Sequence, residues 1–154
     1  MRILFILLLL VIPVRAVENT VMITILHATG QLFTQPYVVW AVAGIKVGIL
    51  GLAYPNTALT NGPENVEDLS FGPAVEAANH FIPLMKQEGA QLIIAQTHLG
   101  LGADQKLARA VPAIDVIVGG HNHNRMDSAM LVGRTLIVQL QKIRAIIREI
   151  FSAA

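Results

Sequence analysis

The chain has 154 residues, of which 54% are hydrophobic and 14% charged, a composition that supports one buried core and excludes a disordered or low-complexity protein. The formal net charge is +1, and lysines and arginines do not cluster before the last dozen residues, which argues against a nucleic-acid partner. The absence of cysteine excludes a disulfide framework and thiolate metal sites.

Residues 1–16 have the three parts of a secretory signal peptide. Arg2 gives a short basic region, residues 3–14 form an apolar run interrupted by Pro13, and the residues up to Ala16 suit cleavage by a signal peptidase. An uncleaved membrane anchor is the alternative, but a helix that spans a bilayer takes about 20 apolar residues. We therefore predict cleavage after Ala16, no stable membrane span, and export to the periplasm or the extracellular space.

The sequence that follows is rich in predicted strands. Residues 21–26, 36–42 and 45–52 have the apolar, β-branched pattern of short buried strands, and Ala43-Gly44 between the last two predicts a hairpin. Residues 53–69 are loop-like, because proline, asparagine and glycine recur there.

A helix is predicted next in the chain. Ser70 can cap it, Pro73 lies in its first turn and Gly89 stops it. Pro83 is expected to kink this helix near its end.

Strands and helices alternate after Gly89. Residues 91–96 and 114–118 predict buried strands, and residues 103–111 predict a short helix between them. This alternation implies βαβ units with parallel strands, and therefore an α/β fold. The carboxyl ends of parallel neighbours lie along one edge of a sheet, where open α/β sheets bind ligands.

Histidines follow both of these strands where each strand ends. His98 lies in Thr-His-Leu-Gly, while His121 and His123 lie in Gly-His-Asn-His. The shared edge would bring them together, and residues two apart in an extended segment face the same way. We predict that these three histidines bind a divalent metal, for which nitrogen ligands suit Zn, Mn, Fe or Co. A polar loop cluster bonded to backbone carbonyls is the alternative.

Four other polar residues are interpreted as structural. His27 ends a predicted strand without a supporting neighbour, and His80 lies on the predicted helix. Asp104 is expected to start a helix and Asp115 to enter a strand, both at the wrong end of their elements to reach the histidines.

The motifs between residues 36 and 139 occur in the order of one protein family. They are Pro-Tyr-Val-Val, Gly-Ile-Lys-Val-Gly-Ile-Leu-Gly-Leu, Gln-Thr-His-Leu-Gly, Ile-Asp-Val-Ile-Val-Gly-Gly-His-Asn-His and Thr-Leu-Ile-Val-Gln. The chain thus resembles the 5'-nucleotidase branch of the calcineurin-like metallophosphoesterases. The resemblance implies a layered β-sheet with flanking helices, partly present over residues 17–141. It also implies that His98 and His121 bind one metal and that His123 reaches a second.

The resemblance ends where the family places its carboxylates. Residues 23–29 are similar to the opening strand of the family, which continues into Asp-x-His, whereas Gly30 and Gln31 follow here. The Gly-Asp segment and the Gly-Asn-His-Glu segment, which holds the catalytic histidine of the family, are absent too. The chain therefore resembles the C-terminal part of the catalytic domain, and no catalytic residue is assigned.

Residues 142–154 form a predicted amphipathic helical tail, because isoleucines recur there at helical spacing between lysine and arginine. We expect this helix to cover apolar surface of the domain. A helix on a membrane surface and the product of a shifted reading frame are the alternatives.

The resemblance implies metal-dependent hydrolysis of a small phosphate ester, in this family a nucleotide. We expect impaired activity, because holding two cations about 4 Å apart takes a bridging carboxylate, and three imidazoles alone hold one ion at best. Three alternatives stay open: an exported metal-binding module without catalysis, an enzyme fragment left by a deletion or an incomplete gene model, and a hydrolase of sulfur esters.

Overall fold

The computed structural model describes residues 25–27, 32, 35–57, 66–122, 126 and 128–139 of the chain. The elements follow in the order β1 (Ile25–His27), β2 (Tyr37–Val42), β3 (Ile45–Leu52), β4 (Leu69–Phe71), α1 (Ala74–Gln87), β5 (Leu92–Thr97), α2 (Leu101–Ala110), β6 (Val116–Gly119), β7 (Met130–Val132) and β8 (Thr135–Gln139). The predicted signal peptide, the predicted tail and His123 lie outside the described residues.

Six strands form one mixed sheet in the order β2-β3-β5-β6-β8-β7. The inner strands β3, β5, β6 and β8 are parallel. The alternation of strands and helices predicts this for β3, β5 and β6, while β8 is not among the predicted strands. Strands β2 and β7 pair antiparallel with β3 and β8 at the two sides of the sheet. Strand β1 pairs with β4 in a separate two-stranded sheet. The predicted α/β fold, a β-sheet with flanking helices, is confirmed.

The hairpin between β2 and β3 follows from its two-residue turn. Ala43 and Gly44 have φ values of 50° and 80°. Two-residue hairpins with a type I′ turn need positive φ at both positions, and this backbone matches the twist of the strands. Tyr37 at the start of β2 then pairs with Leu50, and the register continues back to the turn. The predicted hairpin is confirmed.

Helix α1 begins later than the sequence predicts. Ser70 lies in β4 opposite Leu26, and the residue before the first helical turn is Pro73, which makes no side-chain capping hydrogen bond. The predicted cap at Ser70 is therefore wrong, because pairing with β1 keeps that residue extended. The helix runs through Pro83 and ends before Gly89, whose φ of 91° is typical of a helix stop, as predicted.

Both helices pack on the same face of the sheet, as successive right-handed crossovers require. On that face Leu50 and Ile117 are buried in one cluster with Met85 of α1 and Leu107 of α2. The opposite face carries alternate residues of the same strands, of which four are buried: Val47, Ile49, Ile94 and Val116. No helix within the described ranges is long and apolar enough to cross a membrane.

The carboxyl ends of the parallel strands form the edge that positions the site. Leu52 of β3 pairs with Thr97 of β5, and Gly119 of β6 pairs with Gln139 of β8. The last residues of four neighbouring strands thus lie side by side. The segments that follow β3, β5 and β6 emerge together at the place where α/β sheets bind ligands.

Candidate functional site

His98 and His121 meet at this carboxyl edge. His98 follows β5 directly, and its backbone N–H donates to the carbonyl of Leu52 over 3.1 Å. The two imidazole rings lie edge to face with centroids 5.1 Å apart, and both residues are exposed. The structure therefore brings together two of the three histidines singled out in the sequence, and the third, His123, lies outside the described residues.

His121 has an unusual backbone conformation. Its φ is 88°, a value that residues with a Cβ rarely adopt, and such strain costs about 1–3 kcal/mol. The ring of Tyr54, from the segment after β3, stacks on the His121 ring with centroids 4.7 Å apart and planes inclined by 25°. Backbone strain of this kind is concentrated at functional sites, where the surrounding contacts maintain it.

The two loops that carry these histidines pack closely through glycines. Gly100 has a φ of 88°, and a Cβ at this position would overlap the side-chain amide of Asn122. A Cβ on Gly120 would lie 3.1 Å from Nδ1 of His98. Because glycine has no Cβ, the loop after β5 and the loop after β6 approach closely enough for the imidazoles to meet.

A buried carboxylate lies behind this edge. Asp104 is in the first turn of α2 and is 0% exposed. Its Oδ1 accepts a hydrogen bond from Oγ1 of Thr97 at 2.6 Å, and its Oδ2 accepts one from Nε2 of Gln139 at 3.4 Å. Asp104 lies at the start of its helix, as predicted. The expectation that this end of the helix points away from the histidines is wrong, because α2 begins directly after the His98 loop.

Burial changes the ionisation of Asp104. Loss of solvation raises the pKa of its carboxyl from 3.8 to about 6, while the hydrogen bonds from Thr97 and Gln139 oppose this rise. The first turn of a helix also favours a negative charge. The carboxyl therefore remains ionised at pH 7 but takes up a proton in mildly acidic solution.

The side chains at this edge provide some of the ligands that a divalent cation needs. His98 and His121 offer two imidazole nitrogens, which are ligands for Zn, Mn, Fe and Co. Among the residues that the structure describes, no three histidine, aspartate or glutamate side chains form a cluster able to hold a metal. The described residues thus offer two of the three predicted ligands, and the third, His123, lies outside them.

The other polar residues considered in the sequence belong to other elements than the two histidine loops. His80 is exposed on α1, with its ring edge-on to Phe81. His27 ends β1 in the two-stranded sheet. Asp115 precedes β6 at the opposite end of the strands, where its Oδ2 accepts a hydrogen bond from the Ile93 N–H at 2.9 Å. The interpretation of Asp115 as a strand-entry residue is confirmed.

Tyr54 is a residue of this site that the sequence analysis passed over. The rule that placed the histidines, that residues after parallel strands share an edge, applies equally to the segment after β3. An aromatic residue two positions beyond Leu52 was the available signal.

Two curated relatives align with most of this region. Over 111 residues, or 70% of its length, the chain is 34% identical to the trifunctional nucleotide phosphoesterase protein YfkN of Bacillus subtilis. Over 108 residues, or 62% of its length, it is 37% identical to a 5'-nucleotidase of Vibrio cholerae. The chain is homologous to part of the 5'-nucleotidase-type phosphoesterases. No family model matches it.

Solved structures share the fold of this region of the chain. The calcineurin-like phosphoesterase YfkN of Bacillus subtilis matches with a TM-score of 0.64 at 27% identity, over 73% of this chain and 44% of that one. The sulfate thiohydrolase SoxB of Thermus thermophilus, in complex with glycerol, matches with a TM-score of 0.73 at 25% identity, over 77% of this chain and 22% of that one. The resemblance drawn from the motifs, to a family of hydrolases, is confirmed.

The chain spans a small share of the length of its curated relatives. It covers 8% of the YfkN sequence and 20% of the Vibrio cholerae 5'-nucleotidase. The activities that name those relatives are therefore properties of proteins several times longer than this chain.

Proposed function

We propose that this chain supplies the histidine side of a metal-dependent phosphoester hydrolase of the 5'-nucleotidase type, whose substrate is a nucleotide. The supporting observation is the meeting of His98 and His121 at the carboxyl edge of parallel strands. The strained backbone of His121 and its stacking on Tyr54 add weight, because such features concentrate at functional sites. Export by the signal at residues 1–16 is part of the same proposal.

Each residue at the edge has a role in this proposal. His98 and His121 bind one divalent ion, and His123 is the further ligand. When bound, the ion polarises the phosphoryl group and activates a water molecule. Tyr54 limits rotation of the His121 ring by stacking on it, and Gly100 allows the two loops to stay close.

We also propose that the chain alone hydrolyses phosphate esters weakly. Two cations about 4 Å apart need a carboxylate that both can share. Asp104 is the carboxylate nearest in sequence to the His98 loop, and its two oxygens are already bonded to Thr97 and Gln139 behind the edge. A metal-binding module without catalysis is therefore the second candidate.

The sulfur-ester alternative rests on a separate observation. The sulfate thiohydrolase SoxB matches this chain with a TM-score of 0.73. Sulfur esters are therefore a second substrate class, to be assayed beside nucleotides.

The deciding experiment measures metal binding and turnover with the purified chain. We expect about one Zn or Mn ion per chain, and His121→Ala should weaken binding at least about 10-fold, because a directly bound ligand is lost and even its supporting groups contribute that much. His80→Ala is the matched control, since His80 lies on α1 away from the edge, and binding should be unchanged. Hydrolysis of AMP and of a generic phosphodiester, with added Mn, should be slow.

Each outcome has a different meaning. Turnover equal to that of an intact relative and abolished by His121→Ala would refute the weak-activity proposal. Stoichiometric metal without any turnover would favour the binding module. A chain that binds no metal at all would refute the metal site.

A further inference from the structure

Three neighbouring strand ends converge on the carboxylate of Asp104. Thr97 ends β5 and Gln139 ends β8, and their side chains donate hydrogen bonds to its two oxygens. Gly119 ends β6, the strand between them, and a Cβ there would overlap Oδ2 of Asp104. Thr97 is 5% and Gln139 is 3% exposed, so the whole group is shielded from water. One side chain thus links β5 to β8 across β6.

Two of these strand ends lead directly to the imidazoles. Thr97 is adjacent to His98, and Gly119 precedes His121 by two residues. A displacement of one strand end relative to the other is therefore passed to the rings over one or two residues. The contact of Asp104 with both ends opposes such a displacement.

A carboxylate is a costly group to bury in this place. Taking an ionised carboxyl out of water costs several kcal/mol unless hydrogen bonds compensate, and an apolar side chain of similar volume would fill the space without that cost. Apolar packing lacks the directionality of hydrogen bonds, whereas a satisfied buried polar network fixes one arrangement of its elements. A need to hold the strand ends in one fixed arrangement therefore explains why a carboxylate, and not an apolar side chain, is buried here.

We propose that Asp104 is a positioning residue that sets the spacing of His98 and His121 from behind the sheet edge. It acts through Thr97 and Gly119 at the strand ends. The effect on the rings themselves is independent of any bound ion, while its consequence for metal affinity rests on the proposed function.

The first test uses the metal-free full chain. Edge-to-face imidazoles 5.1 Å apart should give a nuclear Overhauser cross-peak between the ring protons of His98 and His121. Asp104→Ala should weaken or abolish this cross-peak in the folded protein, and Asp104→Asn, which keeps an acceptor for Thr97, should restore it. Asp115→Ala is the matched control, because that carboxylate lies at the opposite end of the strands.

A second pair of variants covers the case in which Asp104→Ala does not fold. Thr97→Val removes the hydroxyl donor with little change in shape and should weaken the cross-peak. Thr97→Ser keeps the hydroxyl and should preserve it.

The third measurement is Zn titration of the same variants by calorimetry. Asp104→Ala and Thr97→Val should lower the Zn affinity by about 10- to 100-fold, the usual effect of losing a group that orients ligands, while Asp115→Ala leaves it unchanged. An unaltered chain that keeps the cross-peak but binds no Zn would refute the proposed function and leave the positioning role intact. Absence of the cross-peak from the unaltered chain would overturn the positioning role. The role would also be overturned if Thr97→Val or Asp104→Ala lowered the melting temperature but kept the cross-peak at full intensity.

Discussion

His121 carries an imidazole side chain on a backbone with an unfavourable conformation. Its φ of 88° suits glycine, and yet the position carries an imidazole that stacks on Tyr54 and faces His98. A strained conformation of this kind persists where contacts with neighbouring residues hold it in place, and it is found most often at functional sites. We therefore expect the imidazole of His121 to support metal binding, while the positive φ of the same residue lowers the free energy of unfolding.

Two substitutions of His121 separate strain from chemistry. Both His121→Gly and His121→Ala remove the imidazole, and glycine alone relieves the positive φ. We expect the glycine variant to exceed the alanine variant in free energy of unfolding by about 1 kcal/mol, as measured by urea denaturation. An alanine variant equal to or more stable than the glycine variant would contradict the presence of strain.

Asp104 should give the stability of the chain a distinctive pH dependence. Its folded pKa is raised to about 6, so between about pH 4 and pH 6 the folded state holds a proton that the unfolded state has released. The carboxyl therefore lowers the free energy of unfolding as the pH rises through this window, by up to about 1.4 kcal/mol per unit, and has no further effect above it.

The variant Asp104→Asn isolates this contribution. Urea denaturation at several pH values should show the variant gaining stability relative to the unaltered chain from about pH 4 to pH 6. The difference should then level off. A difference that is constant over the whole range would contradict the raised pKa.

At the scale of elements, helix α1 tolerates a proline in its interior. Pro83 is exposed on the helix, and the missing N–H leaves the carbonyl four residues earlier, that of Asn79, without its helical donor. The buried residues of α1 explain why the helix persists, because Ala78, Ile82 and Met85 pack into the core and outweigh the local defect. Pro83 therefore destabilises helix α1 locally but does not end it.

Replacing this proline should stabilise the chain. We expect Pro83→Ala to raise the free energy of unfolding by about 1–3 kcal/mol, because it restores a hydrogen bond and relieves a clash. Asn79→Ala, an exposed change in the same helix, measures the gain from helix propensity alone and should give about 0.5 kcal/mol. A smaller gain from Pro83→Ala than from Asn79→Ala in thermal or urea unfolding would count against this account.

At the scale of the whole molecule, the sheet is the common support of both the core and the site. Strand β6 lies among the parallel strands, contributes Ile117 at 0% exposure to the helix-covered face, and ends next to the His121 loop. Strand β7 lies at one side of the sheet, where Leu131 is 68% exposed. Substitutions on these two strands should therefore differ sharply in their effect.

Shortening one side chain on each strand to alanine tests this difference. Ile117→Ala should lower the free energy of unfolding by about 2–5 kcal/mol through lost burial and a residual cavity. Leu131→Ala, the matched control, should change it by less than about 0.5 kcal/mol. Equal losses for the two variants in urea denaturation would argue against the described order of strands.

The sequence by itself determined seven of the ten elements and much of their order, whereas β4, β7 and β8 were not predicted. The alternation of apolar strands and helices implied parallel pairing, and the turn at Ala43-Gly44 implied the hairpin, because both depend on local pattern and on the handedness of connections. The same logic placed His98 and His121 at one edge. The predicted cap at Ser70 was wrong, since pairing with distant Leu26 competes with the helix for that residue and local pattern does not show it.

Only the tertiary structure decided what surrounds the histidines. The stacking of Tyr54 on His121, the positive φ of His121 and the burial of Asp104 behind the strand ends depend on contacts between segments far apart in the chain. A sequence pattern reports which face of its own element a residue occupies. Which strand end lies beside a residue, and whether water reaches it, follows from packing. Packing places the helix start that carries Asp104 behind this edge, and buries its carboxylate there.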